Sequence, residues 1–314
     1  MTVSFNGEVT AILRDQLGFT GAYVADWNVL EATKVLGYPV ESTRSWGLDD
    51  ALSVADRAEI AIEAGVNHFG GQECYDVIVD LVEEGRVDES LVDESVRKLL
   101  RTKFELGLFD NPFVDESIVT SVVGKPRFKE AGGLAQRKSV VLLKNDTIQQ
   151  EAFLPLKRHH LRVYAENINP EVLKKYAIPV ATPEEADVAI LRLATPFQSR
   201  KGLLDEMFHH GDIDFKEPVK TNILNITTVV PTVIDIYLDR AAVIPEIADA
   251  SKSLLGTFGV PDEALLDIVF GELAPSGKLP ITLPSSIQSV VDQSPDVAYD
   301  VSSPVYQFGF GLSY

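Results

Sequence analysis

At 314 residues the chain is long enough for two ordinary domains or one large one, and its 45% hydrophobic and 24% charged content is that of a soluble globular protein. Forty-seven acidic residues against 28 basic ones leave a formal charge of −19, which repels nucleic-acid phosphates and anionic membranes and excludes both as partners. The one cysteine, Cys74, rules out an intrachain disulfide, and no apolar run is long enough to span a bilayer.

Residues 8–17 place apolar side chains at helical spacing, with Gly18 as a C-terminal stop. Gly21-Ala-Tyr-Val-Ala reads as a short buried strand that ends at Asp26, and a polar loop follows to about Asp50. An amphipathic helix is expected over 50–64, a second short strand over Gly65-Val-Asn-His-Phe, and helices over 73–84 and 88–106. Cys74 falls in this stretch as a small buried hydrophobe, since no partner residues make it a nucleophile or a zinc ligand. Residues 111–126 carry Pro112, Gly124 and Pro126 and read as a linker between 1–110 and a second unit, 127–314.

The second unit alternates helices with apolar strands. A helix at about 127–138 leads into Ser139-Val-Val-Leu-Leu, with further strands at 161–165, 187–193 and 232–238. Helices separate them at 170–177, 216–228 and 245–251. Strands apolar on both faces belong in a parallel sheet covered by helices, so the fold class is α/β. The first unit supplies only two strand–helix pairs, too few to close a barrel or cover a sheet by themselves.

Asp26 is the most informative carboxylate, because it stands at the C-terminal end of an apolar strand, where α/β folds gather ligands and catalytic groups. Trp27 follows at once, and an aromatic face beside a carboxylate is one way to shape a sugar site; a helix N-cap or a loop carboxylate bonded to backbone is the other reading. Asp205, Glu206, His209, His210, Asp212 and Asp214 crowd an irregular stretch, where a carboxylic acid could act as proton donor. Adjacent histidines point apart and no His-x-x-x-His spacing occurs, so no metal is expected; dinucleotide and phosphate-loop glycine patterns are also missing, so no cofactor is expected.

Gly18-Phe-Thr-Gly-Ala-Tyr-Val-Ala-Asp-Trp resembles the nucleophile motif of glycoside hydrolase family 3, the β-glucosidase-like enzymes. Further landmarks follow in the family's order: Ala64-Gly-Val-Asn, the run from Asp93 to Pro112, Ser139-Val-Val-Leu-Leu-Lys-Asn-Asp, Leu154-Pro-Leu, Pro275-Ser-Gly-Lys-Leu-Pro-Ile-Thr-Leu-Pro and Phe308-Gly-Phe-Gly-Leu-Ser-Tyr. The resemblance implies the C-terminal part of an (α/β)8 barrel followed by an α/β sandwich domain with a mostly parallel sheet. It implies Asp26 as catalytic nucleophile, Trp27 as sugar platform and Glu206 as acid/base, with Asp205 the neighbouring alternative. Around Glu206 the family's Glu-Gly-x-Asp-Arg pattern is degenerate, with Met207 and His209-His210 at its later positions. The implied reaction is double displacement on a terminal β-linked saccharide or glycoside, with retention.

The chain opens just before the nucleophile strand, so one of three things is expected: an upstream polypeptide that completes the barrel, a truncated gene product, or packing rebuilt by self-association. The alternative function is a non-catalytic carbohydrate-binding or interaction module. The N-terminal residues show no basic segment followed by an apolar core, so a cytoplasmic location is the expectation.

Overall fold

A computed structural model describes residues 3–31, 34–35, 38–39, 47–49, 51–157, 160–199, 209–294 and 296–314. The described residues divide into two compact units, the first running to Ile118 and the second made of 119–199 and 209–314.

In unit 1, α1 (Gly7–Ala11) starts where the Asn6 side chain accepts from the backbone N–H groups of Glu8 and Val9. A π-helical turn, Ile12–Gln16, continues it, and Gly18 turns the chain at φ 67°. Strand β1 is Val24–Trp27 rather than 21–25, followed by the short antiparallel pair β2 (Lys34–Val35) and β3 (Tyr38–Pro39). Helix α2 is Val54–Glu63 and starts later than expected, because Ser53 and Asp56 form a reciprocal capping box. The two hydrogen bonds from Ser53, and then one from Arg86, hold the Asp56 carboxyl down to about 2. Strand β4 (His68–Gly70) lies parallel to β1, with Val24 opposite His68 and Trp27 opposite Gly70. Helices α3 (Tyr75–Glu83) and α4 (Glu89–Glu105) complete the unit, and Gly107 stops α4 at φ 69°. Phe5, Ala25, Val29, Leu30, Ala61 and Leu81 belong to its apolar core.

Unit 2 begins with α5 (Val119–Val122), inside the expected linker, and α6 (Pro126–Ser139). Then come β5 (Val141–Asn145), the β6–β7 hairpin (Thr147–Ile148, Glu151–Ala152), β8 (Arg162–Glu166), α7 (Pro170–Leu173), β9 (Ile178–Pro179) and β10 (Val188–Ala194). The remainder is α8 (Val219–Val229), β11 (Thr232–Tyr237), α9 (Pro245–Ala250), β12 (Ser253–Thr257), α10 (Asp262–Val269) and α11 (Ile287–Val291). Six strands form one sheet in the order β5-β12-β11-β10-β8-β9, parallel except where β5 pairs with β12.

Successive strand residues go to opposite faces, as the pleat requires. Ile190, Val233 and Leu255 enter one apolar cluster with α10; their neighbours Leu191, Ile234 and Leu254 enter another with Ile223 of α8 and Ile247 of α9. The α/β class with a mostly parallel, helix-covered sheet is therefore the one read from the sequence. Strand β12 and helix α10 were not read there.

The closing glycines have a packing reason. A Cβ on Gly277 would sit 2.5 Å from the Val140 carbonyl, and one on Gly311 would sit 2.3 Å from the Gly277 carbonyl. Only bare backbone lets these turns lie against the start of β5, where Leu312 N–H donates to the Leu142 carbonyl at 2.8 Å.

One charge is locked inside this sheet. Asp235, in the middle of β11, has no exposed surface, and Arg192 on the paired strand β10 donates to its Oδ2 at 3.0 Å. The same guanidinium donates to Asp262 at 2.6 Å and to the Val260 carbonyl at 2.9 Å. Thr257 donates to Asp235 Oδ2 at 3.2 Å, while Oδ1 has no hydrogen-bond donor among the described residues. Burial pushes the Asp235 carboxyl up to about 6 in spite of Arg192.

Candidate active site

Asp26 lies at the carboxyl end of β1, beside the matching end of β4. Ala25 points into the core and Asp26 outward, following the two-residue alternation of a strand. Asp26 is exposed, and its Oδ1 accepts from the Trp27 backbone N–H at 2.7 Å. The turn after it is held at several points. Asn28 takes φ 59° and donates to the Gly70 carbonyl at 3.0 Å, Leu30 N–H donates to Gln72 Oε1 at 3.0 Å, and Val29 and Leu30 are buried. The carboxylate is thus exposed on a backbone held by hydrogen bonds and by the burial of Val29 and Leu30.

Trp27 packs against the backbone of two glycines and keeps 69% of its surface exposed. A Cβ on Gly70 would come 2.9 Å from the Ala25 carbonyl and 3.0 Å from Trp27 Cδ1, and a Cβ on Gly71, at φ 65°, would come 2.6 Å from Trp27 Cε3. Gly71→Ala should therefore displace the indole and lower the stability of unit 1 by about 2–3 kcal/mol. Gly85→Ala is the control: it has a similar φ of 73° but open space around it, and should cost only about 1–2 kcal/mol. Urea unfolding compares the two, and equal costs would contradict the packing account.

Asn67 ties the base of β1 to its surroundings. Its Oδ1 accepts from Tyr23 N–H at 2.9 Å and from Arg14 at 2.8 Å, and its Nδ2 donates to Ser95 on α4 at 2.9 Å. Arg14 also donates to the Phe19 carbonyl at 2.9 Å and the Gly21 carbonyl at 2.5 Å. The motif Gly18–Trp27 is thus tied to Asn67, the residue just before β4, directly through Tyr23 and by way of Arg14.

A mostly apolar cavity of about 380 Å³ opens beside β4, lined by Phe69, Ile78, Val92 and Leu99 among others. Neither Asp26 nor Trp27 lines it. Cys74 does, and it is half-buried rather than buried as expected; burial raises its thiol, which leaves it protonated and weakly nucleophilic.

Glu206 and the alternative Asp205 lie outside the described residues. The chain on either side of them is described, at the carboxyl edge of the unit 2 sheet. Phe197 and His209 stack with ring centres 3.9 Å apart and planes at 7°, and His209 Nδ1 hydrogen-bonds the Asp239 carboxylate. Gln198 N–H donates to the His210 carbonyl at 2.8 Å. Arg240 donates to carbonyls on both flanks, Pro196 at 2.5 Å on one and Gly211 and Asp212 at 3.2 Å on the other. Among the described residues no group of three or more His, Cys, Asp or Glu side chains is arranged to hold a metal ion. No helix among them is long and apolar enough to cross a membrane.

The fold and the strand-end carboxylate define an α/β protein of two units with an exposed acid beside an exposed tryptophan. Two family models match it: the glycosyl hydrolase family 3 N terminal domain over residues 6–102 and the glycosyl hydrolase family 3 C-terminal domain over residues 162–314. The chain belongs to glycosyl hydrolase family 3. It is 42% identical to a probable β-glucosidase C of Aspergillus flavus over 99% of this chain and 49% of that protein. It is 32% identical to a periplasmic β-glucosidase/β-xylosidase of Dickeya chrysanthemi over 97% of this chain and 47% of that protein. The chain therefore spans about half the length of the curated relatives it matches. The crystal structure of a β-glucosidase from Listeria innocua in complex with isofagomine has a similar fold, with a TM-score of 0.73 at 22% identity over 99% of this chain and 50% of that one.

Proposed function

We propose that the chain is the catalytic-nucleophile half of a retaining β-glycosidase, acting on a terminal β-linked glycoside with Asp26 as nucleophile and Glu206 as acid/base. The observation that carries this reading is Asp26 itself, exposed at the end of a parallel strand within the region matched to the family's N-terminal domain. Asp26 attacks the anomeric carbon while Glu206 protonates the departing oxygen. Water, deprotonated by the same glutamate, then releases the sugar with its configuration retained. Trp27 offers the apolar face of its indole to the sugar ring.

Unit 1 is read as the last strands and helices of an (α/β)8 barrel. Support comes from the parallel β1–β4 pair with its helices and from a two-stranded sheet that covers little surface alone. Relatives twice this length support the idea that the remaining strands come from a further polypeptide segment. Unit 2 is read as the α/β sandwich domain, supported by its mostly parallel six-stranded sheet.

The test is hydrolysis of an aryl β-glucoside by this chain alone. It is then repeated after mixing with the part of the Aspergillus flavus relative that lies outside the matched region. Turnover that appears or rises on mixing supports the reading, and absence of turnover in both preparations contradicts it.

A further inference from the structure

A cleft of about 380 Å³ in unit 1 gathers Arg14, Arg97, Lys98 and Arg101 around one carboxylate, Glu94, with Phe19 and Thr20 completing its lining. Four cations against one acid leave an excess of three positive charges in a small space, on a chain whose net charge is −19. Charges further away than about a Debye length, roughly 8–10 Å, are largely screened, so the local excess decides what the cleft attracts. The pattern has a simple origin. Glu94, Arg97, Lys98 and Arg101 recur at spacings of three and four along α4, which puts all of them on one face of the helix.

The cations are not equally committed. Arg14, from the π-helical turn after α1, is fixed by the Phe19 and Gly21 carbonyls and by Asn67 Oδ1, with its guanidinium 5.2 Å from the centre of the Phe19 ring. Lys98 hydrogen-bonds Glu94 and holds that carboxyl below its usual range, with Arg14 and Arg97 adding to the effect. Glu94 is therefore ionised and already matched. Arg101 donates to Glu105 at 2.7 Å, but both side chains are exposed and such a pair contributes little. Arg97 has no hydrogen bond or ion pair among the described residues, and neither has the Thr20 hydroxyl.

We propose that this cleft binds a small phosphate monoester, its phosphate held by Arg97 and Arg101 and its organic group laid against Phe19. Guanidinium forks match the oxygens of a phosphate, and the two arginines stand one helical turn apart. A doubly charged anion offsets more of the local excess than a carboxylate does. The half-exposed Phe19 ring offers an apolar wall beside the charges. The volume is that of a small-molecule site.

The test is isothermal calorimetry on the full chain with inorganic phosphate, phenyl phosphate and benzoate at low salt. Phenyl phosphate is expected to bind with a Kd below about 1 mM, at least about threefold tighter than inorganic phosphate and about fivefold tighter than benzoate. Arg97→Ala and Arg101→Ala should each weaken phenyl phosphate at least about tenfold. Lys103→Ala removes the same charge from the same helix outside the cleft, and should weaken it less than about twofold. All three side chains are exposed, so each variant should keep its fold, which urea unfolding checks. Phenyl phosphate should also raise the urea midpoint of unit 1 in the unaltered chain and not in Arg97→Ala. Absence of binding by both phosphates at about ten times the expected Kd, an equal loss in Lys103→Ala, or benzoate as tight as phenyl phosphate would overturn the proposal. Capture of an acidic peptide with no binding of either phosphate would overturn it too, and would give the cleft to a protein partner.

Discussion

Replacing Arg192 with methionine is expected to destabilise unit 2 by about 3–5 kcal/mol at pH 7, because it leaves the Asp235 carboxylate buried without its cation. The guanidinium also serves Asp262 and the Val260 carbonyl, so one substitution disconnects β10, β11 and the start of α10 together. The cost should shrink as the pH falls towards 4, since a protonated Asp235 no longer needs a partner charge. Adding Asp235→Asn to Arg192→Met should return part of the loss at pH 7 for the same reason.

The unaltered protein should show the same group in its pH dependence. Asp235 has a folded pKa of about 6, raised from 3.8 by burial. Between those values the folded state holds a proton that the unfolded state has lost. Stability therefore falls as the pH rises from about 4 to about 6, by roughly 2–3 kcal/mol in all, with the favourable contribution fully present below that window. Asp235→Asn should flatten this slope. Native-state hydrogen exchange at β10 and β11 amides reads unit 2 on its own, and a slope that survives the substitution would refute the assignment.

On the proposed double displacement, Asp26→Ala is expected to lower kcat on aryl β-glucosides by about a thousandfold or more, since the reaction would lose its first bond-forming group. Stability should change by no more than about 0.5 kcal/mol, because the side chain is exposed and its hydrogen bond is to the next residue. Azide offers a sharper readout. A small anion can occupy the space left by the carboxylate and attack the anomeric carbon directly, giving the α-glycosyl azide and restoring part of the rate. A loss confined to KM, with no rescue, would place Asp26 in binding rather than in bond formation.

Much of this was legible in the sequence because it depends on short-range pattern. Asp26 could be placed at a strand end from the apolar run before it, and α4 and α6 were legible from their periodicity and from the residues at their ends. Strand β12 was not, for a physical reason. Ser253-Leu-Leu-Gly-Thr follows α9 with little turn signal, and Gly256 reads as a breaker. In the fold that glycine is required, since a Cβ there would come 2.8 Å from Leu238 Cδ1. Helix α2 was read too early because Ser53, its cap, sits within a run of helix-tolerant residues.

The supports of the candidate site were hidden for a different reason. Asn67 meets Arg14 53 residues away, and Gln72 meets Leu30 42 residues away, so no local spacing announces either. The Gly70-Gly71 pair did carry a signal, as two adjacent glycines mark a close approach, and here the approaching group is Trp27. Phe197, His209 and Asp239 share no motif, and only the return of the chain to the sheet edge brings them together.

The assignment of Asp26 is tested most directly by trapping the intermediate. The turnover-competent protein is incubated with 2,4-dinitrophenyl 2-deoxy-2-fluoro-β-glucoside, whose fluorine slows release of the glycosyl-enzyme, and then digested for mass spectrometry. A single 2-fluoroglucosyl adduct on Asp26, lost in Asp26→Ala, is the result predicted. An adduct on another carboxylate, or hydrolysis with no adduct and with inverted configuration, would contradict it.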